Sequence, residues 1–277
     1  MVRIKLLYFY KKSELLRRKD MKEQLYTIPL IDAFKAGDEC PFCYIERDLE
    51  HHALEFVLGQ ESTFMQDDVR AETDAMGFCK KHYQQMFTYG NALGAALIIE
   101  THLKKLYGQM QKEMKHYNST AKVGFMDKLK KDTAGLRDSN NVSKFVHAEE
   151  EKCYVCNHMK INYDRYIATF FVFYKKGEPE FIKLVKEGKG LCIHHLADIL
   201  DAAPMYLNEK QQQELRNILF PQMDENIKRV LEELDWFQKK FDYRYKDADW
   251  KTSRDALQRT MQKIASGYPA DAPFRQK

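Results

Sequence analysis

The chain has 277 residues, is 44% hydrophobic, and carries 45 Lys and Arg against 41 Asp and Glu, for a formal net charge of +4. With 12 Gly and 7 Pro it is neither collagen-like nor of low complexity, and it is long enough to bury the core of one or two domains without disulfides. No run of 18 apolar residues is present, which argues against a transmembrane helix. Residues 21–120 are net −5 and residues 121–277 net +4; neither segment has the concentrated basic face of a nucleic-acid binder, so nucleic acid is the weaker expectation for a partner.

Residues 1–20 hold seven Lys or Arg and two acids. The apolar run from Leu6 to Tyr10 is too short for the core of a signal peptide and meets Lys11 and Lys12, so no export signal is read and a cytoplasmic location is expected. The segment is either a basic extension or the product of a start placed upstream of Met21. Next, Cys40-Pro41-Phe42-Cys43 opens a helix, with Pro41 in the first turn where its missing N–H is harmless. A short second helix and a Gly-punctuated turn lead to a third helix opened by Cys79-Lys80-Lys81-His82. A longer helix is predicted from Leu93 to Tyr117, with Ile99, Leu103, Leu106, Met110 and Met114 on one face. The polar stretch Ser119 to Asn141 reads as a connection. The pattern then recurs, from a Cys pair at Cys153 and Cys156 to a C-x2-H pair at Cys192 and His195. Pro221 marks a break before a helix with the stripe Met223, Ile227, Val230, Leu231, Leu234 and Phe241. No period-2 strand is found, so the fold class expected is all-α, with repeats at 21–118 and 146–266, a linker at 119–145 and a frayed tail at 267–277.

One shift of 113 residues superimposes the halves: Cys40 on Cys153, Cys43 on Cys156, Cys79 on Cys192 and His82 on His195, so each reads C-x2-C-x35-C-x2-H. Leu54, Val57 and Leu58 fall on Ile167, Phe170 and Phe171 in the same register. Residues three apart at a helix start share one face, so each pair can clamp one side of an ion. The free N–H groups and positive dipole end there favour thiolate. Three thiolates and an imidazole match a closed Cys3His zinc site. The sequence therefore predicts one zinc per half, two per chain, on Cys40, Cys43, Cys79 and His82 and on Cys153, Cys156, Cys192 and His195. Lys80 and Lys81 are candidates to offset the net −1 of such a centre. An iron–sulfur cluster on the same ligands is the alternative, and buried unligated thiols are the plain one. Three cysteines per half and the absence of an export signal disfavour disulfides.

The stretches MKEQLYTIPLIDAF from Met21, CPFC from Cys40, DDVRAETDAMGFCKKHY from Asp67 and GLCIHH from Gly190 together resemble an uncharacterised bacterial family known only as a domain of unknown function. The resemblance supports the ligand set and the repeat, favours a start at Met21, and implies no reaction. A closed site leaves no open metal position, so an enzyme would have to work elsewhere. Candidates are the acidic cluster Asp67, Asp68 and Glu72, mostly private to the first half since only Asp67 falls on an acid, Glu180, and His51 and His52, which fall on Asp164 and Arg165; the plain reading is a solvated helix face. Whether the protein is an enzyme stays open. The leading expectation is a metal-stapled scaffold that binds a protein partner, and the alternative is an iron–sulfur redox protein or sensor. The aromatic runs at Phe170–Tyr174 and Tyr243–Trp250 are read as core, or as a partner groove if Trp250 is exposed.

Overall fold

A computed structural model describes residues 25–59, 65–120, 138–267 and 269. The segment 1–20, most of the expected linker and most of the expected tail lie outside the described residues. The described residues are helical, with one isolated antiparallel bridge, Ser119 to Asn140. In chain order the helices are α1 (25–35), α2 (Pro41–Leu58), α3 (Asp67–Met76), α4 (Lys80–Tyr89), α5 (Ala92–Lys115), α6 (Asn141–Glu150), α7 (Tyr154–Lys176), α8 (Pro179–Glu187), α9 (Ile193–Tyr206), α10 (Glu209–Lys239) and α11 (Ala256–Ala265). The all-α class expected from the sequence is what the chain adopts. Among the described residues, no helix is long and apolar enough to cross a membrane.

The chain divides into two compact units, and they are not the two sequence halves. One takes the described residues up to Leu49 together with those from Ile161 onward; the other spans Glu50–Lys160. Residues of α2 and of α7 belong to both units. The first unit is built around Leu30, Phe42, Phe170, Phe171, Phe181, Ile199, Leu215 and Leu219, all nearly inaccessible. Phe34, Phe42, Phe170 and Phe181 pack ring on ring, with centroids 5.4–6.2 Å apart. Each such buried ring removes enough apolar surface from water to contribute roughly 1.5–3 kcal/mol. The second unit closes over Leu54, Val57, Leu58, Phe78, Met86, Ile98 and Tyr154. The stripe of α2 and its counterpart on α7 are thus buried as their spacing requires.

Three stretches depart from what their sequence predicts. Pro221 does not break a helix, because α10 runs through it. Pro221 and Asn217, whose carbonyl loses its donor, are both exposed, so water can satisfy that carbonyl. Leu231 and Phe241 of the stripe are exposed, and the buried line is Leu215, Leu219, Met223 and Val230. On α5 the buried residues are Gly94, Ala95 and Ile98, while Ile99, Leu103 and Met114 face outward. Trp250 is half-buried, 5.9 Å from the Phe237 ring and under the Lys240 ammonium, so it is packed rather than presented.

Candidate metal centres

All four ligand pairs sit at helix starts, as the sequence reading requires. Cys79 and Cys192 are N-caps with nearly identical extended backbones, φ −75 and −77, both with ψ 167. Their carbonyls accept the first helical bonds, from Tyr83 and Leu196. Cys40 and Cys153 do the same for Tyr44 and Asn157. The second ligand of each pair then lies on the first turn. Two residues before each C-x2-H pair the chain reverses through a glycine of positive φ, Gly77 at 54° and Gly190 at 75°, a conformation that penalises any Cβ.

The pairs combine across the halves. In the first unit Cys40, Cys43, Cys192 and His195 converge. His195 Nδ1 lies 3.3 Å from Cys40 Sγ, 3.4 Å from Cys43 Sγ and 3.1 Å from Cys192 Sγ. All four residues are 0% exposed. In the second unit Cys79, His82, Cys153 and Cys156 converge. His82 Nδ1 is 3.2 Å from Cys79 Sγ, 3.1 Å from Cys153 Sγ and 3.5 Å from Cys156 Sγ. The expected grouping, Cys40 and Cys43 with Cys79 and His82 and Cys153 and Cys156 with Cys192 and His195, is therefore replaced by an exchange of partners. The length mismatch is plainest in the second half: the 23 residues of α7 rise about 34 Å and the 9 residues of α8 only about 14 Å, with two residues between them, so α8 alone does not return the chain to the start of α7.

Each centre is braced differently. In the second, the Tyr154 N–H, next to Cys153, donates to the Gly77 carbonyl at 2.9 Å, tying one ligand segment to the other. The His102 ring packs against Gly77, where a Cβ would come within 2.4 Å of it, and His102 Nδ1 lies 3.0 Å from the Asp74 carbonyl. In the first, the tie is a buried ammonium: Lys263 Nζ donates to the carbonyls of Glu39 (2.6 Å), Lys189 (2.6 Å) and Leu191 (3.3 Å). It thereby clamps the residues just before Cys40 and just before Cys192. Burial pushes the Lys263 pKa down against the opposing pull of Glu39. Glu39, also buried, is met by Arg229 at 2.5 Å and Lys263 at 3.5 Å, and these partners outweigh its own desolvation to hold its pKa low. Gln222 Nε2 donates to the carbonyls of Val185 and Gly188 and fixes the turn before Gly190.

Two glutamates escaped the sequence reading. His82 turns Nδ1 to the sulfurs and Nε2 to Glu50, 2.9 Å away; Lys81 and Gln85 also bond that carboxylate. Burial raises the Glu50 pKa, but these donors outweigh it and bring it to about 2. His195 Nε2 likewise has Glu46 Oε2 at 3.2 Å, in ion-pair range though outside hydrogen-bond geometry. Ser266 Oγ sits between Glu46 Oε2 (3.1 Å) and Cys43 Sγ (3.4 Å). A carboxylate behind an imidazole fixes its tautomer and orientation toward a metal. The 113-residue comparison hides both, since Glu46 and Glu50 fall on Met159 and Tyr163; only their spacing after Cys43, by three and seven residues on one helix, is a local signal.

In the chain alone, burial would lower the His82 pKa, yet contacts to Cys153 and Glu50 carry it up to about 9, while His82 offsets burial to bring Cys153 down to about 6. His195 follows the same logic, reaching about 12. Burial drives the Cys40 thiol well up, and bonds from Cys40 and Cys43 drive Cys192 far down. In both clusters the imidazole pulls a neighbouring thiol down while its own pKa is pushed up, a coupling of charge that a cation at the same place would replace.

Elsewhere, Asp68 and Glu72 are exposed, and Glu72 meets His158 at 3.2 Å. His51 pairs with Glu55 along its own helix. Among the described residues, neither set joins a metal-holding group. A third group, His194 with His195 and Asp198, borrows a histidine already committed to the first centre. All six cysteines are free. Of the two lysines beside His82, Lys81 reaches the centre through Glu50.

Fold and centres together define an all-helical protein with two Cys3His clusters fit to hold metal ions. A family model described as a family of unknown function (DUF6062) matches residues 21–271, and the chain belongs to that family. No curated protein and no solved structure matches it.

Proposed function

We propose that the protein binds two single metal ions, zinc by the chemistry of the donors, and that each ion staples one helical unit of a scaffold that engages a protein partner. The observation that carries this is the convergence of four donors within 4.8 Å of one another in each cluster. Tetrahedral zinc, with bonds of about 2.3 Å to sulfur and about 2.0 Å to nitrogen, implies S–S edges near 3.8 Å and S–N edges near 3.6 Å. Here Cys79 and Cys156 are 3.9 Å apart, and the S–N separations are 3.1–3.5 Å. An iron–sulfur cluster distributes its ligands over several irons and spreads them wider, so this compactness supports one ion per site.

Four protein donors leave no open position for substrate or water, which favours a structural role over catalysis. Zinc at such sites adds directly to folding. The recurrence of the N-cap cysteine and left-handed glycine at the 113-residue spacing supports a duplicated unit whose copies exchanged ligands. The outward row Leu103, Tyr107 and Met114 on α5 supports a binding role for the scaffold, and the six free thiols suit a reducing compartment such as the cytoplasm.

Elemental analysis with an absorption spectrum, on protein purified without oxygen, tests the reading. Two zinc per chain and no visible band are expected. Iron with a broad visible band moves the protein to the redox class, and no metal returns the cysteines to ordinary buried thiols.

A further inference from the structure

The two centres differ in access. Every ligand of the first is sealed from solvent. In the second, Cys156 is exposed and Cys79 partly so, their sulfurs 3.9 Å apart, while Cys153 and His82 are buried. We propose that the second centre is a peroxide-modifiable site at which oxidation joins Cys79 to Cys156 and releases its metal, while the first centre keeps its own. This rests on the reading that both clusters hold a divalent ion.

Oxidation of thiolates is selected by access to the sulfur. The Cys156 thiolate attacks one oxygen of a hydroperoxide; the O–O bond breaks, hydroxide or alkoxide leaves with the electron pair, and the sulfur becomes a sulfenic acid. The Cys79 thiolate then attacks that sulfur, forming the S–S bond and expelling hydroxide. In sum, two thiolates lose two electrons, one peroxide gains them, and two protons from solvent complete the water or alcohol. The metal does not change oxidation state; it is left with Cys153 and His82 and departs as the free divalent ion. Closing the gap from 3.9 Å to the roughly 2.05 Å of a disulfide brings the two sulfurs about 1.9 Å nearer to each other.

The test uses the full chain loaded with metal and assayed for content before any oxidant, so failure of the metal reading is seen first and separately. Hydrogen peroxide is then titrated in, released metal is followed with a chromogenic chelator, and disulfides are located by peptide mass spectrometry without reduction. Expected are release of one equivalent of two, a Cys79–Cys156 disulfide, and re-uptake of the metal after a thiol reductant. The sealed centre in the same molecule is the reference. Release of neither ion, simultaneous release of both, or a first disulfide involving Cys40, Cys43 or Cys192 overturns the proposal.

Discussion

Glu50 approaches His82, whose Nδ1 faces the cysteine sulfurs, from behind, and Glu46 does so for His195, so charge beyond the four clustered side chains belongs to each site. Replacing Glu50 by Gln keeps the shape and removes the charge that orients His82. Loss of such an outer partner typically weakens metal binding about 10–100-fold. A chelator competition should show that loss in one of two equivalents, the other unchanged; equal weakening of both would sink the assignment of Glu50 to the second centre. With its pKa brought to about 2, Glu50 in the metal-free chain contributes stability that is present above its ordinary value near 4.5 and is lost as pH falls through 2. In the first unit Lys263 ties the segments before Cys40 and Cys192. Changing it to Met strands three carbonyls and part of the Glu39 charge, and removing one member of a buried ionic group costs about 3–5 kcal/mol. Urea unfolding of K263M should show a loss of that size, and a change below about 1 kcal/mol, the size of a surface pair, would mean the clamp contributes little.

At the scale of elements, much of the site was legible. Cysteine before a helix, with a ligand three residues on, is a local pattern, and the residues at Cys40, Cys79, Cys153 and Cys192 adopt the backbone that pattern requires. Which pair meets which was not legible, because that depends on how far each helix carries the chain, and a repeat comparison assumes that like halves close on themselves. The network of Glu39 with Lys263, Arg229 and Arg259, whose Nη1 lies 3.4 Å from Glu39 Oε1, was also invisible, since its members lie up to 224 residues apart and no spacing rule links them. The glycines give an element-level test. Gly77 (φ 54) has the His102 ring within 2.4 Å of a built Cβ, whereas Gly190 (φ 75) has its nearest neighbour at 3.5 Å. Both Ala variants incur roughly 1–2 kcal/mol for left-handed backbone, and G77A adds a clash with a ring held by its own hydrogen bond. Thermal unfolding should therefore rank G77A below G190A, and the reverse order would contradict the packing described around His102.

For the molecule as a whole, each cluster draws its four side chains from segments far apart in sequence, so under the proposed reading an ion at each would close a long loop and tie remote chain into one core. Such a constraint favours the folded state chiefly by restricting the unfolded one, and structural zinc in small folds supplies about 10–16 kcal/mol of apparent binding energy. The exchange of partners between halves is the central claim, and counting bound metal in two double variants tests it most directly. If Cys40 and Cys192 share a centre, C40S/C192S damages only that one and retains one equivalent, while C40S/C79S damages both and retains none. Retention of one equivalent by C40S/C79S with none in C40S/C192S would instead show that each half binds its own ion, and would contradict the account.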